Sequence, residues 1–179
     1  AARAALAAGP GVVTDVGSVK AAIVAEVDDP RFVGGHPMAG SEQEGVDGSR
    51  GDVFEGAVWV LTPGPATDDE AYAAVHAVVS SLGADVVSLD PEQHDRTVAV
   101  VSHVPHLTAA TLMRLADERA EEHGTFLRLA AGGFRDMTRI AGGSPAIWPD
   151  ICGDNREAIL DVLDLLIADL QQMRSVVEA

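Results

Sequence analysis

The chain has 179 residues, of which 47% are hydrophobic, 4% aromatic and 22% charged, and 12 basic against 28 acidic side chains give a net charge of −16 at pH 7. This composition supplies a substantial core, which excludes an intrinsically disordered chain and a disulfide-stapled miniprotein. The net charge repels phosphate and anionic lipid, and the few basic residues do not cluster, so we predict neither a nucleic-acid partner nor a membrane partner.

Cysteine usage and the N-terminal residues bear on the compartment. Cys152 is the only cysteine, which excludes an intrachain disulfide and a cysteine-based metal site and indicates a reducing compartment. The alanine-rich residues 1–11 contain no apolar stretch long enough for a signal peptide or a membrane span. We therefore predict a cytoplasmic protein.

Residues 1–89 alternate between strand and helix patterns. Apolar, often β-branched runs predict strands at residues 12–16, 31–35, 57–63 and 84–89. Helical spacing predicts helices at residues 19–27 and 68–83, and the glycine- and acid-rich residues 42–56 are typical of a long loop. Alternation of this kind predicts an α/β layered sheet.

From residue 90 onward the pattern is helical throughout. A long helix is expected to about residue 123 with a kink at Pro105, and a second helical stretch is expected to be interrupted at Gly132-Gly133. Ser144-Pro145 predicts another helix start, and Asp154 is a candidate cap for a last helix that ends near residue 176. Because this last helix is apolar on more than one face, we predict a subunit interface on it.

Two segments in the α/β half carry residues suited to chemistry. At a strand-to-helix turn, Gly17 and Ser18 offer backbone N–H groups and a hydroxyl to an anion or a cofactor amide. The alternative is an ordinary helix capped by Ser18. Directly after a predicted strand, His36 is flanked by glycine and Pro37 and can accept a proton near pH 7. Its alternative is a loop histidine with a structural hydrogen bond.

Two further segments lie in the helical half. Ser102, His103 and His106 form a polar patch that would suit a ligand cleft, or else the histidines are satisfied within the helix. A metal site is disfavoured there, because a proline separates the histidines and no third ligand is near. Arg139, with Asp136 and a neighbouring arginine, suits bidentate binding of a carboxylate, the alternative being surface ion pairs.

Three other histidines show no such context. His76, His94 and His123 fall on helices with a polar pattern, and we predict that they are solvated.

Taken in order, four strings and a tryptophan resemble the prephenate/arogenate dehydrogenases of tyrosine biosynthesis. They are DVGSVK (15–20), GGHPMAGSE (34–42), VVSHVPH (100–106), GGFRDMTRIA (132–141) and Trp148. The resemblance implies that residues 1–89 are the C-terminal part of a Rossmann-like dinucleotide-binding domain and that residues 90–179 are a helical substrate-binding and dimerisation domain. It further implies a homodimer and an oxidative decarboxylation of prephenate or arogenate with NAD or NADP.

The same resemblance implies roles for individual residues. His36 matches the catalytic histidine, and Ser18 matches the serine that supports it beside the nicotinamide. Gly17 and Lys20 lie in the same cofactor-binding turn, and His36 also counts among the cofactor-binding residues. Arg139 matches the arginine that binds a substrate carboxylate. The further pocket residues are Ser41, Glu42, Ser102, His103, His106, Asp136 and Trp148. No metal is implied, and tyrosine is a candidate inhibitor, although no separate regulatory domain is recognisable.

The sequence departs from the family in one respect. These enzymes begin with a strand and a G-x-G-x-x-G turn that binds the pyrophosphate, and no segment here matches it. We therefore expect at least two βα units before Ala1, and we expect a chain that starts at Ala1 to bind the cofactor poorly. A non-catalytic dimerisation or effector-binding remnant stays open as an alternative. A dehydrogenase of hydroxy acids fits less well, because that group would be expected to use a lysine from the helical domain.

Overall fold

A computed structural model describes residues 1–40, 49–122 and 125–179 of the chain. The described residues form two compact units, Ala1–Thr97 and Val98–Ala179. A sheet with helices makes up the first unit, and the second is helical. This confirms the predicted fold class, α/β followed by all-α.

The first unit is built on a four-stranded sheet. Its strands are β1 (Val13–Thr14), β2 (Phe32–Pro37), β3 (Val58–Thr62) and β4 (Asp85–Ser88). They lie in the order β1-β2-β3-β4, with β1 parallel to β2, β2 antiparallel to β3, and β3 parallel to β4. The apolar runs thus predicted every one of these strands, although β1 is shorter than its run.

The second strand extends beyond its predicted end. The apolar run stops at Gly35, yet β2 continues to Pro37, and His36 lies opposite Val60 of β3. Beyond the strand, the Met38 N–H donates to the Val58 carbonyl at 2.8 Å, so pairing with β3 holds this segment without further apolar side chains. His36 is therefore a strand residue whose backbone is fixed, so its predicted position directly after the strand is wrong, and it is not the loop histidine of the alternative either.

Among the described residues, the first unit has four helices, and the first three of them contribute apolar side chains to cores that include residues of the sheet. They are α1 (Ala2–Ala8), α2 (Ala21–Glu26), α3 (Asp69–Ser81) and α4 (Pro91–Val98). Ala71, Val75 and Val79 follow one another at helical spacing on α3 and pack against Val33 and Leu61 of the sheet. A second core joins α1 and α2 to Phe32. Both layers support β2, the strand that carries His36.

The second unit begins with a π-helical turn, Ala99–His103, followed by α5 (Val104–Glu122). The predicted distortion at Pro105 is real, but it takes the form of this turn directly before the proline. Pro105 has no N–H to donate one turn back, and the Val104 N–H bonds to the Ala99 carbonyl five residues earlier. The wider turn accommodates the missing donor.

The remaining helices correct two further predictions. They are α6 (Gly132–Thr138), α7 (Trp148–Asp154) and α8 (Arg156–Glu178), joined by 3₁₀ turns at 126–129, 139–142 and 145–147. Gly132 and Gly133 begin a helix instead of interrupting one. Ser144 caps its turn as predicted, accepting the Ala146 N–H. Asp154 does not cap α8, because it ends α7 and Asn155 holds the N-cap position.

Helix α8 leaves most of its apolar residues exposed. Only Ile159 is buried, where it packs with Ala99 and Val104 in the core of the second unit. Leu165, Leu170, Met173, Val176 and Val177 are each more than half exposed. Within the described residues, no helix combines the length and the apolar character needed to cross a bilayer. The predicted interface helix thus carries an uncovered apolar surface.

Candidate active site

Asp15 ties the turn after β1 to the strand that carries His36. One carboxylate oxygen accepts the Gly35 N–H at 3.0 Å, and the other accepts the Gly17 N–H at 2.9 Å and pairs with the Lys20 ammonium. Lys20 is fully buried. Burial lowers the pKa of Lys20, and the hydrogen bond and charge of Asp15 offset part of that effect. A buried ion pair therefore fixes this turn against β2.

Asp95, on α4, holds the start of α2 in a similar way. Its carboxylate oxygens accept the Lys20 N–H and the Ala21 N–H, each at 2.8 Å. Burial by itself would raise the pKa of Asp95, but hydrogen bonds from His94, Ala21 and Lys20 outweigh it and hold the pKa below its ordinary value. Asp95 is therefore an ionised carboxylate inside the first unit.

Between Asp95 and the strand histidine lies a second histidine. His94 Nδ1 is 2.7 Å from a carboxylate oxygen of Asp95, and His94 Nε2 is 2.8 Å from His36 Nδ1. The two rings meet edge to face, with centroids 5.0 Å apart. His94 is completely buried, so the prediction that it is solvated is wrong, whereas His36 is partly exposed.

The sequence interpretation therefore missed two residues of this site, His94 and Asp95. Helix α4 has the sequence PEQHDRTV and shows almost no apolar residue, which is typical of a solvated helix. The sequence did contain one signal for this site, a His-Asp pair near the start of a helix that follows a strand. Such a pair can place an imidazole on a carboxylate near the sheet.

The close approach of β1 and β2 depends on Gly35. A Cβ atom at this position would lie 2.6 Å from the Asp15 carbonyl oxygen and 2.8 Å from the Thr14 hydroxyl. Because the first of these atoms is backbone, the neighbouring strand would have to move. We expect Gly35→Ala to reduce the free energy of unfolding by about 1–3 kcal/mol, measured by urea denaturation.

Gly9→Ala is the matched control for this substitution. Nothing lies within 4 Å of a Cβ at Gly9, whose backbone is extended, so we expect a change within about 0.5 kcal/mol. Equal stabilities for the two variants would contradict the tight contact at Gly35.

Two of the predicted site residues stack in the second unit. The His106 ring lies parallel to the Trp148 indole with centroids 3.5 Å apart, and His106 Nδ1 bonds the Ile140 carbonyl at 3.0 Å. Burial lowers the pKa of His106, partly offset by that bond. Because Nδ1 must be the donor to a carbonyl, Nε2 of neutral His106 is an acceptor.

His103 is held differently from His106. It is buried, its Nδ1 lies 3.1 Å from the side-chain nitrogen of Asn155, and its ring meets Trp148 edge-on. The two histidines thus share a contact with Trp148 but form hydrogen bonds with different partners. Across the described residues, no group of three or more His, Cys, Asp or Glu side chains is placed to hold a metal ion.

Arg139 and its neighbours lie on the surface of the second unit. Arg135, Asp136 and Arg139 are all exposed, and none of them forms an ion pair with another residue that the structure describes. Ser18 and Ser102 are each partly exposed. Ser41, Glu42 and His123 lie outside the described residues.

Family models match both halves of the chain. The model described as prephenate dehydrogenase, nucleotide-binding domain, matches residues 5–88, and the model described as prephenate dehydrogenase, dimerization domain, matches residues 90–179.

Curated relatives and solved structures agree with these matches. A prephenate dehydrogenase of Bacillus subtilis is 41% identical over 172 residues, which cover 93% of this chain and 46% of the relative. A cyclohexadienyl dehydrogenase of Zymomonas mobilis is 34% identical, covering 93% and 58%. The crystal structure of prephenate dehydrogenase from Aquifex aeolicus with hydroxyphenyl propionate and NAD+ matches with a TM-score of 0.85 at 35% identity, covering 93% of this chain and 59% of that one. The chain spans about half the length of the curated relatives it matches.

Proposed function

Because this chain belongs to the prephenate dehydrogenase family, we propose that the full-length protein catalyses oxidative decarboxylation of prephenate to 4-hydroxyphenylpyruvate, or of arogenate to tyrosine, with NAD or NADP. The observation that carries the proposal is His36, a partly exposed imidazole on a fixed strand whose Nδ1 is bonded to a second, buried histidine. That arrangement suits a base that works near neutral pH.

The turn after β1 fits the nicotinamide end of a dinucleotide. β1 and β2 are parallel, so their carboxyl ends meet at one edge of the sheet, where ligands bind in α/β folds. Gly17 is exposed and has no side chain to block approach, and the neighbouring Ser18 is a partly exposed residue. Lys20, fully buried, contributes by holding Asp15. The Aquifex aeolicus relative was solved with NAD+, which makes NAD the first cofactor to test.

His36 is the proposed catalytic residue. When bound, NAD(P)+ accepts the hydride from the ring carbon that bears the hydroxyl group. As positive charge develops at that carbon, the imidazole of His36 accepts the hydroxyl proton and so stabilises the transition state. The ring carboxylate then leaves as carbon dioxide, its bonding electrons complete the aromatic ring, and the proton returns to the phenol oxygen. Ser18 is proposed to support His36.

Substrate recognition is proposed for residues of the second unit. The substrate is anionic and the chain carries a net charge of −16, so a local cation must outweigh the global field. Arg139 is exposed and unpaired among the described residues, which suits a bidentate contact with a carboxylate. The other proposed pocket residues are Ser102, His103, His106, Asp136 and Trp148, together with Ser41 and Glu42.

A coupled assay tests this proposal. Full-length protein supplied with prephenate and NAD should form 4-hydroxyphenylpyruvate, carbon dioxide and NADH in equal amounts, and arogenate and NADP tested in parallel identify the preferred pair. Tyrosine is added as the candidate inhibitor. A folded protein that turns over neither substrate with either cofactor would contradict the proposal and favour the non-catalytic alternative.

We also propose a homodimer formed through the apolar surface of α8. Leu165 and Leu170 are 69% and 52% exposed on a helix of 23 residues, and burying such side chains contributes about 1.5–3 kcal/mol each. The double substitution Leu165→Glu/Leu170→Glu should convert the dimer to a monomer at micromolar concentration, measured by light scattering after gel filtration.

Gln171→Glu is the control for this pair, because it adds negative charge at an exposed polar position of the same helix. It should leave the dimer unchanged. A wild-type protein that is monomeric at tens of micromolar would refute the interface.

A further inference from the structure

The chain of contacts from Asp95 to His36 has a defined direction. An ionised carboxylate only accepts hydrogen bonds, so the 2.7 Å contact requires the proton on Nδ1 of His94. Neutral His94 is then an acceptor at Nε2, and the 2.8 Å contact to His36 requires the proton on Nδ1 of His36. Neutral His36 consequently has its lone pair at Nε2.

We propose that His94 and Asp95 are positioning residues that hold His36 in the Nδ1–H tautomer and thereby make its Nε2 the proton acceptor. The catalytic part of this inference rests on the proposed function, whereas the tautomer itself does not. His94 is completely buried and Asp95 is 5% exposed, so water does not compete freely for these hydrogen bonds.

The anchor of this chain of contacts is itself fixed. Asp95 also accepts the Lys20 and Ala21 N–H groups at the start of α2, so its carboxylate cannot rotate to offer His94 a different geometry without breaking two further bonds. A wrong tautomer of His94 would place a lone pair against a carboxylate. That repulsion is the reason why the Nδ1–H tautomer of His94 is favoured over the Nε2–H tautomer.

The same arrangement should affect the basicity of His36. When His36 takes a proton from substrate, the cation is stabilised through His94 by the negative charge of Asp95. Among the described residues, Asp15 bonds the Gly35 N–H and Lys20 bonds Asp95 through its backbone, and their own charges form a buried ion pair. Removing the charge of Asp95 should therefore take away one anion that stabilises protonated His36.

Nitrogen NMR of the full-length protein tests the tautomer without any assay of activity. Histidine labelled with ¹⁵N is observed at about pH 8.5, above the ordinary histidine pKa of about 6.5, and His36 is assigned by the signal lost in His36→Asn. We expect protonated Nδ1 and unprotonated Nε2 in the wild type. His94→Gln should keep this tautomer, because its amide oxygen can accept from His36, whereas His94→Leu should lose it. His76→Leu, at an exposed helix position, is the control.

Two results would overturn the inference: an Nε2–H tautomer in the wild type, or an unchanged tautomer in folded His94→Leu.

The pH dependence of kcat/KM supplies the second measurement. Asp95→Asn should move the acidic limb of the kcat/KM profile to lower pH by roughly one unit, because the protonated form of His36 loses a stabilising charge. His94→Leu should lower kcat by at least about 10²-fold, and His94→Gln should lower it less. If the acidic limb of the profile does not move in folded Asp95→Asn, the charge of Asp95 does not stabilise protonated His36. The expected tautomer in a protein that does not turn over prephenate or arogenate would contradict the proposed function alone.

Discussion

Replacing His36 by Asn should lower kcat by about 10²–10⁴-fold, the range that a positioned general base contributes. The amide cannot take the hydroxyl proton, so the developing charge on the substrate carbon loses its compensation. The binding of NAD should change little, because the backbone of β2 and the Gly17-Ser18 turn stay in place. Stopped-flow detection of NADH with prephenate measures the first effect, and calorimetric titration with NAD measures the second.

His76→Asn is the matched control, since this histidine lies on an exposed position of α3. It should retain the full rate. If His36→Asn keeps its fold, judged by circular dichroism, and turns over prephenate within about tenfold of the wild type, His36 is not the base. A rate loss accompanied by unfolding would be resolved with His36→Gln, which must also be inactive when folded.

The second large effect is expected for Lys20→Met. Methionine fits the volume of the lysine stem but removes the ammonium, which leaves the Asp15 carboxylate without its counter-ion at a position where its side chain is only 16% exposed. Breaking a buried ion pair by removing one partner costs about 3–5 kcal/mol. We therefore expect the free energy of unfolding of the full-length protein to fall by about 3 kcal/mol, measured by urea denaturation monitored by fluorescence.

Arg96→Met provides the contrast, because the Arg96–Glu92 pair is exposed on α4, with side chains 73% and 72% accessible. That substitution should cost no more than about 0.5 kcal/mol. The double variant Lys20→Met/Asp15→Asn should lose less free energy of unfolding than the two single variants lose in sum, since no charge is left unpaired. Strict additivity would show that the two side chains are not coupled.

The elements of the fold followed from local patterns of hydrophobicity. Val33 and Leu61 belong to apolar runs, and Val75 and Val79 recur at helical spacing. The burial of each could therefore be predicted from the residues around it. His94 could not be recognised in this way. Its hydrogen-bond partners are the adjacent Asp95 and His36, 58 positions earlier in the chain, and neither contact leaves a periodic apolar pattern in the sequence.

Boundaries were harder to predict than elements for the same reason. β2 extends to Pro37 because Val60 and Trp59 pair with it, and Asn155 rather than Asp154 stands at the start of α8. The Asn155 side chain contacts His103, 52 positions earlier in the chain. Long-range contacts of this kind decide where an element ends, whereas spacing along the sequence only indicates that it exists.

The burial of Lys20 has a consequence for chemical labelling. Lys20 is the only lysine of this chain, and its side chain has no accessible surface. Amine-reactive dyes and cross-linkers will therefore find no ε-amine here while the first unit is folded. Modification of Lys20, followed by peptide mass spectrometry, becomes a direct measure of how often the turn beside His36 opens to solvent.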